Sequence, residues 1–340
     1  MRPNFHPSLI NGPFDDPGVY VDFLFERRAL LFDLGEPGPL TPRKLLRVSH
    51  IFVSHTHVDH FIGFDNLVRL CLGRDKRLHL FGPAGFTERV GHRLAGYTWN
   101  LVQDYPTDFT VVATELHPDG TALTAEFHCL RQFGREAERR ETFPDGIILD
   151  EETFRVRVAF LQHRIPSLAF ALEEKRHVSV RKNRLVERGW RVGPWLAELK
   201  RAILAETADD VPFRVWWREG GGAHGEIHSL GRLKEEIVTI VPGQKISYVT
   251  DAVFTPENAA RIVELARGSD YLFIESVFLH ADAERAFTRC HLTARQAGEL
   301  ARAAGAARVL PFHFSPRYQY AEEEVRREVA EAFAGAGFGK

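Results

Sequence analysis

The sequence predicts an α/β fold. Three observations carry this expectation. Apolar runs of strand length alternate with helical spacings along most of the chain. A dense His/Asp cluster follows one such run directly, and open α/β sheets place their ligands at strand ends of this kind. Two further runs in the second half each deliver one Asp or His at a similar position.

The elements read as follows. Val19 to Phe25 followed by Ala29 to Leu34 forms a β-hairpin pattern, with Glu26-Arg27-Arg28 at the turn. Val48 to Val53 is a buried strand that ends at Ser54, where the cluster begins. Gly63 to Leu72 has helical spacing, with Phe64, Leu67, Leu70 and Cys71 on one face. The apolar run Val158 to Leu161 leads to His163. Ile246 to Thr250 is a strand that delivers Asp251, Glu257 to Arg267 a helix, and Tyr271 to Ile274 a strand. Thr293 to Ala304 is a helix, and Thr293 with Gln296 has capping-box spacing. Arg308 to Phe312 is a strand that delivers His313. Arg131, Arg135, Arg139 and Arg140 interleave with Glu136, Glu138 and Glu141, which predicts a surface helix with local salt bridges. The least regular stretch, about 173–225, holds a cationic run, Gly193-Pro194, Trp216-Trp217 and three glycines at 220–222. It reads as an inserted arm plus loops in an otherwise single domain covering 1–340.

Composition narrows the class. Apolar residues make up 44% and charged residues 26%, the balance of a globular protein with room for a large core. The net charge is −2. The chain therefore lacks the global basic character of a protein that grips nucleic acid by charge alone, and local basic patches must meet any polyanion. Cys71, Cys129 and Cys290 lie far apart in sequence, which favours a reducing compartment over a disulfide framework. Met1 to Tyr20 lacks the pattern of a secretory signal, and no apolar run approaches about 18 residues, so no membrane span is expected. A cytoplasmic enzyme is the expectation.

The chemistry concentrates in His55-Thr56-His57-Val58-Asp59-His60. Imidazole nitrogens and carboxylate oxygens bind borderline cations such as zinc. Burying four such groups together without a partner would be costly. Alternating positions on a tight loop let His55 and His57 face one metal while Asp59 and His60 face a second. Asp251, His313 and His163 are the candidate ligands from other strand ends. Taken singly, Asp251 reads as a turn cap and each lone His as a satisfied core residue.

The motifs resemble those of the metallo-β-lactamase superfamily and, within it, the ribonuclease Z group of tRNA 3′-processing endoribonucleases. The resemblance rests on Leu31-Phe32-Asp33-Leu34-Gly35, on Ile51-Phe52-Val53-Ser54 leading into the cluster, and on Gly63. It continues in Ile274-Glu275-Ser276-Val277-Phe278, in His291-Leu292-Thr293-Ala294-Arg295-Gln296-Ala297 and in His313-Phe314-Ser315-Pro316-Arg317-Tyr318. It implies a four-layer αββα sandwich with metals at one edge, and a homodimer. It implies that His55, His57 and His163 hold a first zinc, that Asp59, His60 and His313 hold a second, and that Asp251 bridges them, with manganese as the alternative metal. Asp59 would orient or deprotonate the attacking water, and His291 would be the general acid. Asp33 and Glu275 would orient ligands. Arg181-Lys182-Asn183-Arg184 leading to Gly189-Trp190-Arg191-Val192-Gly193-Pro194-Trp195 resembles part of the arm that holds tRNA, which implies phosphate contacts by Lys175, Arg176, Arg181, Lys182, Arg184, Arg188 and Arg191; charge alone reads slightly more readily as a solvated basic face.

The group opens with a P-x-K-x-R-N loop that senses the tRNA 3′ end, whereas Asn11 to Gly18 contains no Lys or Arg. Two readings therefore stand beside a tRNA precursor as substrate. One keeps the site and changes the substrate to a small phosphodiester such as a cyclic nucleotide, or to a carboxylic ester or lactone. The other is a non-catalytic binder.

Overall fold

The computed structural model describes residues 4–24, 26–219 and 222–335. The chain divides into two compact units. The larger comprises residues 3–148, 156–172 and 245–340, and the smaller comprises 1–2, 149–155 and 173–244.

The larger unit is built on two sheets. An eight-stranded sheet runs in chain order: Phe5–Leu9, Val19–Phe23, Ala29–Phe32, Val48–Phe52, Lys76–Pro83, Phe109–Leu116, Thr121–His128 and Arg135–Thr142. Its four central strands are parallel, and the outer ones pair antiparallel. A six-stranded sheet has the order Val309–Phe312, Tyr271–Glu275, Lys245–Val249, Ile165–Glu174, Phe154–His163, Ile147–Asp150. Its first three strands are parallel.

Successive side chains of a strand point to opposite faces, and here both faces are buried. Phe32, Phe52, Phe170 and Tyr248 point between the sheets, with ring centroids 5.5–5.9 Å apart. Their neighbours Leu31 and Ile51 point the other way, to Phe64, Leu67, Val68, Phe86 and Val90 of the helices Phe64–Cys71 and Phe86–Ala95. On the second sheet Ala169, Ala171, Val249, Leu272 and Ile274 meet Ile262, Leu265, Ala297 and Leu300 of the helices Pro256–Ala266 and Ala294–Ala303. The layers are thus helix, sheet, sheet, helix, the expected αββα sandwich. The predicted capping box closes: Gln296 N donates to Thr293 Oγ1 at 3.2 Å and Thr293 N to Gln296 Oε1 at 2.9 Å.

The smaller unit has a core of its own, made by Val178, Leu185, Trp190, Trp195, Leu199, Ile203, Val215, Leu230, Leu233, Ile237 and Val238. It holds the paired strands Arg176–Val180 and Val238–Pro242, a hairpin of Pro212–Glu219 and Gly222–Ser229, and the helices Lys182–Glu187, Trp195–Leu204 and Leu230–Ile237. This is more regular than the arm plus loops read from sequence. Trp195, Leu199 and Ile203 recur at a spacing of four and bury one helix face, a period that the charges between them obscure. Gly220 and Gly221, and Phe25 at the end of the predicted hairpin strand, lie outside the described residues.

The stretch from Arg135 is a correction: it is a strand, not a surface helix. Its charges alternate across an edge paired antiparallel to Thr121–His128. The local ion pairs do form, Arg135 with Glu138 at 2.8 Å and Arg139 with Glu141 at 3.1 Å. A sheet edge with one solvated face accepts such a charged run as readily as a helix does. Among the described residues no helix is long and apolar enough to cross a membrane.

Candidate metal centre

The strand Val48–Phe52 delivers Ser54 and His55 into the interior, and the chain then turns through a short helical segment, Val58–Phe61. This segment rests on the Asp33-Leu34-Gly35 run: Leu34 N donates to His60 O at 2.9 Å and Gly63 N to Leu34 O at 3.0 Å. A Cβ on Gly35 would lie 2.7 Å from Asp59 O, and one on Gly63 would lie 2.3 Å from Gly35 O. Only glycine permits that approach, so these two positions set the place of the His/Asp cluster.

Three residues at strand ends adopt left-handed backbone that is uncommon outside glycine: Asp33 (φ 55°), Asp251 (φ 46°) and His313 (φ 59°). Strained conformations of this kind persist where surrounding structure fixes them, and they cluster at functional sites. Here they turn Asp251 and His313 into one cluster and Asp33 onto His60 behind it.

The structure brings all seven expected ligands together. His55, His57, His163 and Asp251 offer donor atoms within 4.8 Å of one another, and so do Asp59, His60 and His313. Asp251 Oδ2 lies 3.5 Å from His55 Nε2, 3.2 Å from His163 Nε2 and 3.6 Å from His60 Nε2. Its Oδ1 lies 3.0 Å from His313 Nδ1. Asp59 Oδ2 lies 3.5 Å from His60 Nε2 and 3.4 Å from His313 Nε2. Asp251 therefore reaches both groups.

The donor set fits divalent cations. Ligands about 2.0–2.1 Å from a tetrahedral cation stand about 3.3 Å apart, close to the spacings here. Among the described residues the buried Nε2 of His60 has no hydrogen-bond partner, although orphaned buried polar atoms are costly. Two of the imidazoles are tied on their far side in a way that sets the tautomer. His60 Nδ1 meets Asp33 Oδ2 at 2.7 Å, and His163 Nδ1 donates to Cys290 O at 2.7 Å. Both leave Nε2 facing the cluster. Burial pushes the His55 imidazole down to about 2, which favours its neutral form. Burial works against charge on Asp251, yet His313 and His60 hold its carboxyl well below the usual range.

Asp33 and Glu275 sit behind this cluster. Asp33 accepts from Ser54 N at 2.6 Å, Ser54 Oγ at 2.8 Å and Tyr248 Oη at 2.8 Å, besides His60. Ser54 and Tyr248 are site residues that sequence reasoning passed over. Tyr248 carried one signal, a hydroxyl-bearing residue in an apolar strand three residues before Asp251. His291 is held by Glu275, whose Oε2 accepts from Nδ1 at 2.8 Å. Burial opposes a charged His291, but the Glu275 carboxylate outweighs it and raises the imidazole pKa above its ordinary value.

The expected RNA-contact residues belong to the smaller unit. Arg181 spends its guanidinium on the carbonyls of Glu235 and Val238, the latter at 2.8 Å, at the end of the helix Leu230–Ile237. Arg184 pairs with Glu187 and Arg188 with Glu236, each at 2.7 Å. Lys175 pairs with Asp150 at 2.8 Å and Arg176 with Glu206 at 2.9 Å. Lys182 and Arg191 are exposed.

Comparison with known proteins places this geometry. The Beta-lactamase superfamily domain matches residues 236–314. A ribonuclease Z of Deinococcus radiodurans is 30% identical over 337 residues, which is 97% of this chain and 96% of that protein. A ribonuclease Z of Acaryochloris marina is 28% identical over 298 residues, 85% of this chain and 76% of that one. Among solved structures, the short form of human tRNase Z superposes with a TM-score of 0.51 at 19% identity, covering 93% of both chains. The metallo-β-lactamase fold protein YhfI of Bacillus subtilis superposes with 0.54 at 13% identity, covering 96% of this chain and 92% of that one. These two likenesses speak for the fold.

Proposed function

The chain belongs to the ribonuclease Z family of metal-dependent hydrolases, and from that premise we propose that it removes 3′ trailers from tRNA precursors by endonucleolytic cleavage of a phosphodiester. The observation that carries this reading is the convergence of seven ligand side chains with His291 at their rim.

His55, His57 and His163 would hold one cation and Asp59, His60 and His313 a second, with Asp251 touching both. Zinc suits the nitrogen-rich donor set, with manganese as the alternative. Bound there, a pair of such cations supplies Lewis acidity toward the phosphate and lowers the pKa of water.

The chain's own groups do the rest. Asp59, part-exposed at the rim and with its carboxyl pulled down to about 2 mainly by its bond to His313 against the effect of burial, is ionised and orients or deprotonates the attacking water. His291 keeps Nε2 free because Nδ1 is spent on Glu275. The Glu275 carboxylate raises its pKa and so favours the protonated form, which places Nε2–H to protonate the departing ribose oxygen. Glu275 also accepts from Ala252 N at 2.8 Å, which ties the acid to the loop carrying Asp251. Exposed cations of the smaller unit, Lys182 among them, are candidates for phosphate contacts that position RNA without reading sequence. We place the enzyme in the cytoplasm, as a homodimer.

The test is 3′-end mapping after the zinc-loaded protein meets a tRNA precursor carrying a 3′ trailer. One cut beside the discriminator base, lost in His291→Ala, is expected.

A second reading has a specific observation behind it. The segment Asn11–Gly18 carries no basic residue. It lies against the site through Phe14, whose ring meets Phe314 at 5.5 Å, and through Pro13 O, which accepts from Phe314 N at 2.7 Å. That favours a small phosphodiester. Hydrolysis of a nitrophenyl phosphodiester without any cut in the tRNA precursor would select it.

A further inference from the structure

The helix Ala283–Arg289 ends two residues before His291, and its last carbonyls need partners. Cys290 takes the left-handed position after it, at φ 62°. Cys290 N then donates to Phe287 O at 3.0 Å and His291 N to Ala286 O at 2.9 Å, the two bonds of a Schellman turn. The carbonyls of Thr288 and Cys290 are satisfied from another element. Arg164 Nη2 donates to Thr288 O at 2.6 Å, and His163 Nδ1 donates to Cys290 O at 2.7 Å. Two adjacent residues at the end of the strand Phe154–His163 thus grip one helix terminus. The grip brings the rings of His163 and His291 to 5.0 Å between centroids.

Arg164 holds this place against its own backbone preference. Its φ is 47°, a region costly to an arginine and free to a glycine. Its side chain is exposed, so core packing does not account for it. What the arginine adds is a cation and a donor at a helix C-terminus, where both are favourable.

We infer that Arg164 is a positioning residue, which locks the turn carrying His291 to the turn carrying His163 so that acid and ligand keep a fixed relation. The inference rests on the roles proposed for those two histidines. A misplacement of about 1 Å in such a pair is enough to slow the chemical step strongly.

The experiment compares the full-length zinc-loaded chain with Arg164→Ala, Arg164→Gly and Arg164→Lys. It measures kcat and KM on a dinucleoside phosphodiester, whose departing ribose oxygen needs a proton, the rate of zinc release to a chromogenic chelator, and the thermal midpoint. In the Ala and Gly variants kcat falls about tenfold with KM nearly unchanged, and zinc leaves several-fold faster, the scale at which groups supporting metal ligands act. Lys, which keeps a cationic donor, recovers most of both losses. Arg164→Gly relieves the backbone, so its thermal midpoint stays at or above that of Arg164→Ala. Wild-type kcat and release rates in both the Ala and Gly variants overturn the inference alone. A wild-type chain that holds no zinc overturns the reading of His163 and the inference with it.

Discussion

Glu275 joins His291 to the Asp251 loop through a single carboxylate. One oxygen accepts from His291 Nδ1 at 2.8 Å, and the other accepts the amides of Ala252 at 2.8 Å and Leu292 at 3.2 Å. The carboxylate is fully buried, so its charge acts on the imidazole with little screening. Replacing it in Glu275→Gln keeps the shape and removes the charge. The pKa of His291 falls, and a step that needs protonated His291 is lost at lower pH than in the wild type. The descending alkaline limb of the kcat profile therefore moves to lower pH, and kcat at pH 8 drops about 10- to 100-fold. An unmoved limb refutes the coupling.

His291→Ala removes the proposed proton donor and leaves the seven candidate ligands in place. The expected loss in kcat is about 10²–10⁴-fold. Metal content, measured by atomic absorption, stays at the wild-type level. A parallel fall in metal content would instead make His291 a ligand.

Tyr248 reaches Asp33 across the interface between the two sheets, and Asp33 in turn orients His60. Tyr248→Phe takes one donor from a buried carboxylate and costs about 1–3 kcal/mol of stability. It also loosens His60, so zinc affinity in chelator competition weakens about tenfold. Stability lost with affinity unchanged would separate Asp33 from the ligand it touches.

Treatment with EDTA abolishes cleavage, and stoichiometric zinc restores it. The two sheets and their aromatic interface do not pass through the donor cluster, so far-ultraviolet circular dichroism of the stripped protein keeps the wild-type shape. Unfolding on metal removal would make the site a structural staple.

His50 offers a test of acid stability away from the donor cluster. Burial first, then His79, Arg28 and Lys76, push its imidazole down to about 2. The folded state thus prefers neutral His50, while the unfolded chain takes up a proton below about pH 6.5. The stability this group contributes is fully present above that pH and declines as pH falls. By pH 5 the wild type loses about 2 kcal/mol that a His50→Gln variant does not lose. Parallel denaturation midpoints for the two proteins from pH 7 to 5 would refute it.

Much of this architecture was legible in the chain because local chemistry repeats itself. Apolar runs of about four residues, such as Ala29–Phe32 and Tyr271 to Ile274, are too short for helices and read as buried strands once helices alternate with them. The cluster from His55 to His60 is readable because four ligand groups in six residues have few other uses. Spacing alone misread the charged run from Arg135, since alternating charge satisfies a helix face and a sheet edge alike.

The residue types of the site, and the strand ends that present them, follow from the sequence itself. Only the tertiary structure decided how they meet. The distance from Tyr248 to Asp33 spans 215 positions, and that from Cys290 O to His163 spans 127. Hydrogen bonds of that reach depend on the packing of one sheet against another and on left-handed backbone at Asp33, Asp251 and His313. Neither is encoded by a local pattern, because each is set by contacts that exist only after the sheets have closed on one another.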